Sequence, residues 1–341
     1  MGVIETHRIT TRVAGRETDA ASAIVDNLNI WTSAVKNKSS AGRGGGSMRE
    51  LYGIKKLREL ILGLAVRGLL VPQDPNDETA GELLKKIALV KKQLVTCGKI
   101  KKQKALPPIP EESKTFELPA GWAWASLNDV YDVRDGTHDT PKYQPEGIPL
   151  VTSKNLSSGS LDFSDVKYIS EEDHLKIKER SSVDKSDILF AMIGSIGNPV
   201  LVKTDTEFSI KNVALFKYYS IDLSTPLFLL KYLMHAQIRF KEQASGAVQS
   251  FVSLGKIRSY PIALPPLAEQ HRIVAKVDEL MALCDQLEQQ TETSLTAHET
   301  LVETLLGALT NAADHNSFQQ AWQRIAQHFD ALFTTEQSID Q

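Results

Sequence analysis

A double proline at Pro265-Pro266 divides this chain into two structural regimes. Just upstream, Ser259-Tyr260-Pro261-Ile262-Ala263 closes a β-rich stretch. Proline lacks the amide hydrogen and fixes φ, so the pair stops the strand and a helix starts after it. Downstream, Ile273, Val277, Leu280, Cys284 and Leu287 step by four, three, four and three, the pattern of a coiled-coil seam. Continued to about Leu309, such a helix would span roughly 60 Å at ~1.5 Å per residue. Thr291 and Ser294 weaken the seam and predict a break or shift there.

The net charge of −3 over 341 residues is unevenly spread. Residues 1–114, 115–262 and 263–341 carry about +8, −2 and −9. Such asymmetry reports electrostatic partnership, so the basic and acidic ends could pair within a chain or between chains. The middle segment is near neutral, so nucleic-acid binding there needs a local patch. No apolar run reaches the ~18 residues of a membrane span. The longest candidate, residues 57–71, is interrupted by Arg58, Glu59 and Arg67. The N-terminus lacks the charged start and apolar core of a secretion signal. Cys97 and Cys284 fit neither zinc spacing nor a disulfide framework. A cytoplasmic, membrane-free location is the expectation.

Four regions follow from composition and periodicity. Residues 1–47 read as an appendage: Ile24, Val25, Leu28 and Trp31 fit one helical face, and residues 39–47 read as a flexible linker. Residues 48–114 are helical. Leu51, Ile54, Leu57, Ile61 and Leu64 recur at helical spacing, and Thr79-Ala80-Gly81-Glu82 fits a capping box opening a second helix. Eight lysines and no acid lie between Lys85 and Lys104, a solvated face or a phosphate contact. Residues 115–263 alternate short apolar runs with turn residues. Strands are expected at residues 147–153, 187–193, 199–203, 214–220 and 260–263, and a helix at 226–243. Residues 264–341 are helical again, ending in a helix whose face carries Phe318, Trp322, Ile325 and Phe329 and is expected to pack within the chain. The fold class is α+β: a mixed, strand-rich domain flanked by long helices that form a coiled-coil-like spacer.

Enzyme signatures are missing. No Asn/Asp-Pro-Pro-aromatic motif of a base methyltransferase occurs, and no Walker sequence. The histidines show no metal-ligand spacing. Gly194-Ser195-Ile196-Gly197 lacks a phosphate-cradling pattern and reads as a hairpin turn. His138-Asp139 is flanked by Gly136 and Pro141 and reads as a turn, weak grounds for acid–base work. Glu171-Glu172-Asp173 reads as the cap of a helix starting near His174. Polar loops suit recognition better. Lys154 can reach guanine acceptors or phosphate, and Asn155 can bond adenine bidentately. The candidate DNA contacts are Lys142, Ser153, Lys154, Asn155, Ser195, Lys211, Gln249 and Ser250, the last two in the loop 245–250. A protein-binding helical scaffold without DNA recognition is the alternative, favoured slightly by the near-neutral middle segment.

Particular motifs support the first reading. Leu118-Pro119-Ala120-Gly121-Trp122 resembles the motif that opens a target-recognition domain in specificity subunits of type I restriction–modification systems. Leu264-Pro265-Pro266-Leu267-Ala268-Glu269-Gln270 resembles the motif that closes it, and residues 51–57 through 71–75 look like the family's spacer helix and turn. The resemblance implies a non-catalytic subunit that reads half of a split target in double-stranded DNA. It implies docking of modification (methyltransferase) and restriction (motor–nuclease) subunits. S-adenosylmethionine, ATP and magnesium would belong to those partners, with no cofactor in this chain. Leu57, Ile61, Leu64, Ile273, Val277, Leu280 and Leu287 are then the expected subunit-contact positions. The family usually carries two recognition domains and this chain has one, so it looks like an N-terminal half that could pair as a homodimer.

Overall fold

The computed structural model describes residues 20–38, 48–244, 251–327 and 329. The chain separates into two compact units, one built on Arg58–Leu280 and the other on Asn27–Leu57 with the segment from Met281 onward. The linker expected at 39–47 lies outside the described residues.

In the first unit a four-stranded antiparallel sheet has the order Tyr131–Asp135, Val213–Tyr218, Ile188–Ala191, Gly197–Leu201. Strand side chains alternate between faces. Val213 and Leu215, paired with Ala191 and Leu189, share one face. They join Val151, Leu156, Val200, Val202, Phe208 and Ile210 in a single apolar core. The opposite face carries Phe190 and Phe216. Phe240 of the helix Pro226–Ala244 packs on Phe190 with ring centroids 5.4 Å apart. Ile188–Ala191 is therefore buried along its whole length, and its sequence reads as a continuous apolar run rather than an alternation.

A smaller sheet, Lys167–Ile169, Ile148–Val151 and Ser209–Ile210, mixes an antiparallel and a parallel pairing. All five strands expected from the sequence form, three of them shorter and two, Gly197–Leu201 and Pro261–Leu264, shifted by one or two residues. Six others among the described residues, Lys36–Lys38, Met48–Glu50, Ala123–Ser126, Tyr131–Asp135, Lys167–Ile169 and Ser209–Ile210, were not expected. Tyr131-Asp132-Val133-Arg134-Asp135 is too polar to read as buried, yet Asp132 and Asp135 are 4% and 3% exposed. Ion pairs from Arg134 to Asp132 at 2.6 Å and from Arg180 to Asp135 offset the desolvation of these carboxylates. The helix expected near His174 begins at Glu171 instead. Ser170 is its cap, accepting from the Asp173 amide at 3.1 Å, and the three acids form its first turn.

The opening and closing motifs meet. Ala123–Ser126 pairs antiparallel with Pro261–Leu264, Ala123 opposite Leu264. The helix Tyr52–Val66 ends in a Schellman turn: Gly68 takes φ +69°, its amide bonds Ala65 O, and the Leu69 amide bonds Leu64 O. Glu269, only 1% exposed, accepts from Trp122 Nε1 at 3.0 Å and from Gln73 Nε2 at 3.2 Å. Arg272 binds Asp77 at 2.6 Å, and Ala80, which starts the helix Ala80–Thr96, donates to Gly121 O at 2.8 Å. Thr79 caps that helix by accepting from the Glu82 amide, one half of the expected capping box, while the Glu82 carboxylate accepts from Lys85 at 2.6 Å.

The helix after the double proline runs unbroken through Leu267–Thr310, 44 residues or about 66 Å at ~1.5 Å per residue. No break occurs at Thr291 or Ser294. Thr291, Thr293 and Thr296 return their hydroxyls to the carbonyls four residues earlier, at 2.7–2.9 Å, and so stay compatible with the helix. Within the second unit, Ile325 of the helix His315–Gln327 clusters with Val302, Leu305, Leu306 and Leu309. The expected inward face is only partly realised: Ile325 is buried, but Phe318, Trp322 and Phe329 are about half exposed. The antiparallel pair Lys36–Lys38 and Met48–Glu50 precedes the helix Tyr52–Val66.

Candidate nucleic-acid interface

The loop that follows Ile148–Val151 converges with three other segments at one end of the four-stranded sheet. The turn Lys211-Asn212, between the strands Ser209–Ile210 and Val213–Tyr218, is their hub. The Lys211 amide donates to Val151 O at 2.9 Å, which brings in the loop beginning at Thr152. The Asn212 amide donates to Thr137 O at 3.1 Å and the Thr137 amide to Ile210 O at 3.0 Å, which brings in residues 136–142. Asn212 O accepts from the Met192 amide at 3.4 Å, Met192 O accepts from Val252 at 2.9 Å, and Ile193 bridges Phe251. Two local features permit this closeness. Gly136 lies so near Ile210 that a Cβ would overlap the Ile210 carbonyl. Asn212 adopts φ +55°, a conformation asparagine tolerates better than most residues.

The predicted contact residues fare differently within this cluster. Lys142 and Ser195 are exposed. Ser195 sits at the tip of the expected hairpin turn, between Gly194 at φ +72° and Gly197 at φ +101°. Lys211 is half-buried and its Nζ reaches Thr140 Oγ1. Lys154 is exposed and pairs with Asp165 at 2.8 Å, an ion pair that solvent makes weak. Ser153 Oγ is buried without a hydrogen-bond partner among the described residues.

Asn155 is 4% exposed, and its amide is fully engaged inside the loop. Oδ1 accepts from the Thr152 amide and hydroxyl, both at 3.0 Å, and Nδ2 donates to Asp162 O and Asp165 O, both at 3.0 Å. Two lone pairs and two N–H groups are all an asparagine amide has, so none is left for a base. Gln249 and Ser250 lie outside the described residues.

Some members of the cluster were not singled out from the sequence. Tyr143 and Phe251 are 45% and 47% exposed at its margin. His138, read as part of a plain turn, bonds Asp135 Oδ2 through Nε2 at 2.8 Å. Only the pairing of strands distant in sequence brings Asp135 and Asn212 to either side of that ring. Exposed apolar rings among polar loops are the one signal that could have flagged Tyr143 and Phe251.

Among the apolar positions expected to meet other subunits, Leu57, Ile61, Ile273 and Val277 are 0% exposed and Leu280 1%. Leu64 and Leu287 are half-buried. Five of the seven thus belong to the interior of this chain. Among the described residues no cluster of three metal-ligating side chains occurs, and no helix is long and apolar enough to cross a membrane.

A family model for the type I restriction modification DNA specificity domain matches residues 119–297. The chain is similar to the type I restriction enzyme EcoAI specificity subunit of Escherichia coli, 43% identical over 331 residues, covering 93% of this chain and 54% of that protein. Its similarity to the EcoEI specificity subunit of Escherichia coli is 41% identity over 337 residues, covering 93% and 54%. Among solved structures, the HsdS subunit from Thermoanaerobacter tengcongensis is similar at 17% identity and a TM-score of 0.42, over 81% of this chain and 64% of that one. The chain spans about half the length of the curated relatives it matches.

Proposed function

This chain belongs to the family of type I restriction–modification DNA specificity subunits, and from that premise we propose that its loop cluster reads one half of a split DNA target. One observation carries the reading: backbone hydrogen bonds draw segments at residues 137, 151, 192, 212 and 252 together at one end of the sheet. Sequence readout needs several side chains presented together on a rigid scaffold, and strand ends held by main-chain bonds supply one. Lys142 and Lys211 serve as phosphate contacts, Ser195 reaches from its hairpin tip, and Lys154 is available once its weak ion pair with Asp165 opens.

The subunit is non-catalytic and docks modification and restriction subunits on its helical region; S-adenosylmethionine, ATP and magnesium belong to those partners. A second recognition domain completes the target, supplied by a second copy of the chain or by sequence beyond Gln341. The DNA target implies a cytoplasmic setting. The test is co-expression with the modification subunits and mapping of methylated sites by sequencing. A split motif supports the reading, symmetric for a homodimer and asymmetric for a single longer subunit. Methylation without a defined motif, or a chain that binds partners yet protects no DNA, would return the chain to the scaffold reading.

A further inference from the structure

Beside Lys211, side chains from three elements form a continuous hydrogen-bonded chain. Asp135 ends the strand Tyr131–Asp135 and is 3% exposed. One carboxylate oxygen accepts from Arg180, of the helix Glu171–Ser181, and the other lies 2.8 Å from His138 Nε2. The second ring nitrogen, Nδ1, lies 3.0 Å from Asn212 Oδ1. Asn212 is the left-handed residue of the hub turn, and among the described residues no partner takes its Nδ2. The charged groups around the ring are Asp135, with Arg180 and Arg258 beyond it, Asp139 on the same loop and Lys211 on the hub turn.

We infer that Asn212 reads a base and that His138, held between Asp135 and Asn212, is the positioning residue that decides which end of the Asn212 amide faces outward. This rests on the DNA-reading function proposed above.

The logic is a matter of donors and acceptors. Nδ1 and Asn212 Oδ1, 3.0 Å apart, form a hydrogen bond only when Nδ1 carries a hydrogen, so in this arrangement that ring nitrogen donates to the inward Oδ1. The inward Oδ1 of Asn212 leaves the NH2 group outward, where it matches acceptors: guanine O6 and N7, or thymine O4. The alternative is a ring with hydrogen on Nε2 alone, toward Asp135. Its bare Nδ1 then draws the NH2 group inward and leaves Oδ1 outward, matching the amino groups of adenine or cytosine. Lys211 beside it supplies charge without a directional code.

The experiment uses the full chain co-expressed with its modification subunits, with methylated motifs mapped for the wild type, N212D, N212G and H138F. Aspartate and glycine both tolerate a positive φ, so the two Asn212 variants keep the turn. N212D presents oxygen outward in either state, and one motif position is expected to move from a base with an acceptor edge toward adenine or cytosine. N212G is expected to relax that same position roughly 5- to 150-fold, the range set by one good base contact. H138F should relax the same position, with a thermal melt confirming its folding.

Methylation by the purified complexes gives the readout that separates positioning from mere structure. The wild-type preference at that position should be lost in H138F and restored in H138Q, whose amide can still donate to Asn212 Oδ1. A wild-type motif that N212D and N212G leave unchanged overturns the inference alone, as does a preference that survives in H138F. A wild-type chain with no discrete motif overturns the DNA-reading function and this inference together.

Discussion

Trp122 donates its indole N–H to Glu269 at 3.0 Å, joining residues 147 positions apart. The same carboxylate accepts from Gln73, so one buried acid ties the turn after the helix Tyr52–Val66 to both motifs that bound the recognition domain. Burial raises the Glu269 carboxyl above its ordinary range, while the hydrogen bonds from Gln73 and Trp122 and the nearby Arg272 work against that rise. Both chain ends of the domain leave from this one point, with Ala123–Ser126 paired to Pro261–Leu264.

Removing the donor tests this joint. W122F keeps an aromatic side chain but deletes the N–H, leaving a buried carboxylate oxygen without its partner. The expected loss is about 1–3 kcal/mol, read from urea unfolding. Q73A, on the less buried side of the same carboxylate, should cost less. A W122F variant as stable as the wild type would show that water replaces the indole and that the joint is not held here.

Gly68 and Gly98 both take positive φ, at 69° and 72°, but only one is crowded. A Cβ on Gly68 would come within 2.5 Å of Pro119 Cγ and 2.9 Å of Trp122 Cζ2, whereas one on Gly98 meets nothing within 4 Å. G98A is expected to cost only the left-handed backbone penalty of roughly 1–2 kcal/mol. G68A should cost clearly more and should also disturb Trp122 fluorescence. Equal thermal shifts for the two would contradict the close approach.

Phosphate contacts and loop-holding residues should separate by assay. K142A and K211A are each expected to weaken binding on all sequences and to lower the salt slope by about 1. N155A should instead destabilise the loop from Thr152 to Asp165, because four hydrogen bonds converge on that amide. Fluorescence anisotropy over a salt series, alongside thermal melts, distinguishes the two behaviours. A specificity change at one base in N155A, with stability unaltered, would restore it to the reading set.

Acid sensitivity follows from one buried and one half-buried histidine. Burial lowers the affinity of His174 and His235 for protons below the ordinary level; Glu207 opposes this at His174, while Arg67 adds to it at His235. A histidine depressed in the folded state binds fewer protons there than in the unfolded chain, so stability falls as pH drops below about 6.5. Replacing both with glutamine should flatten that slope in melts taken between about pH 5 and about pH 7. An unchanged slope would assign the acid sensitivity to other groups.

Elements whose signal is local were legible in the sequence. Pro265-Pro266 stops a strand and the 44-residue helix begins at Leu267; Thr79 caps Ala80–Thr96; Gly194–Gly197 is a hairpin turn. The strand Tyr131–Asp135 was not legible, since its buried aspartates are compensated by Arg134 and Arg180, the second from a helix 45 residues away. Asn155 misled for a related reason: an amide able to read a base is equally able to hold a loop, and spacing does not distinguish the two uses.

The sequence by itself determined the kind of molecule: a mixed domain bounded by two motifs and followed by a long helix. Its determinants are backbone rules acting over a few residues, namely proline, capping side chains and apolar periodicity. Tertiary structure alone decided which polar side chains are used internally and which keep free hydrogen-bonding capacity. Asn155 lost its capacity to the loop around it. Asn212 and His138 meet because Tyr131–Asp135 and Val213–Tyr218 pair as neighbours. Hydrogen-bonding capacity is finite at each side chain, and whether it is consumed depends on strands far apart in the chain becoming adjacent in space.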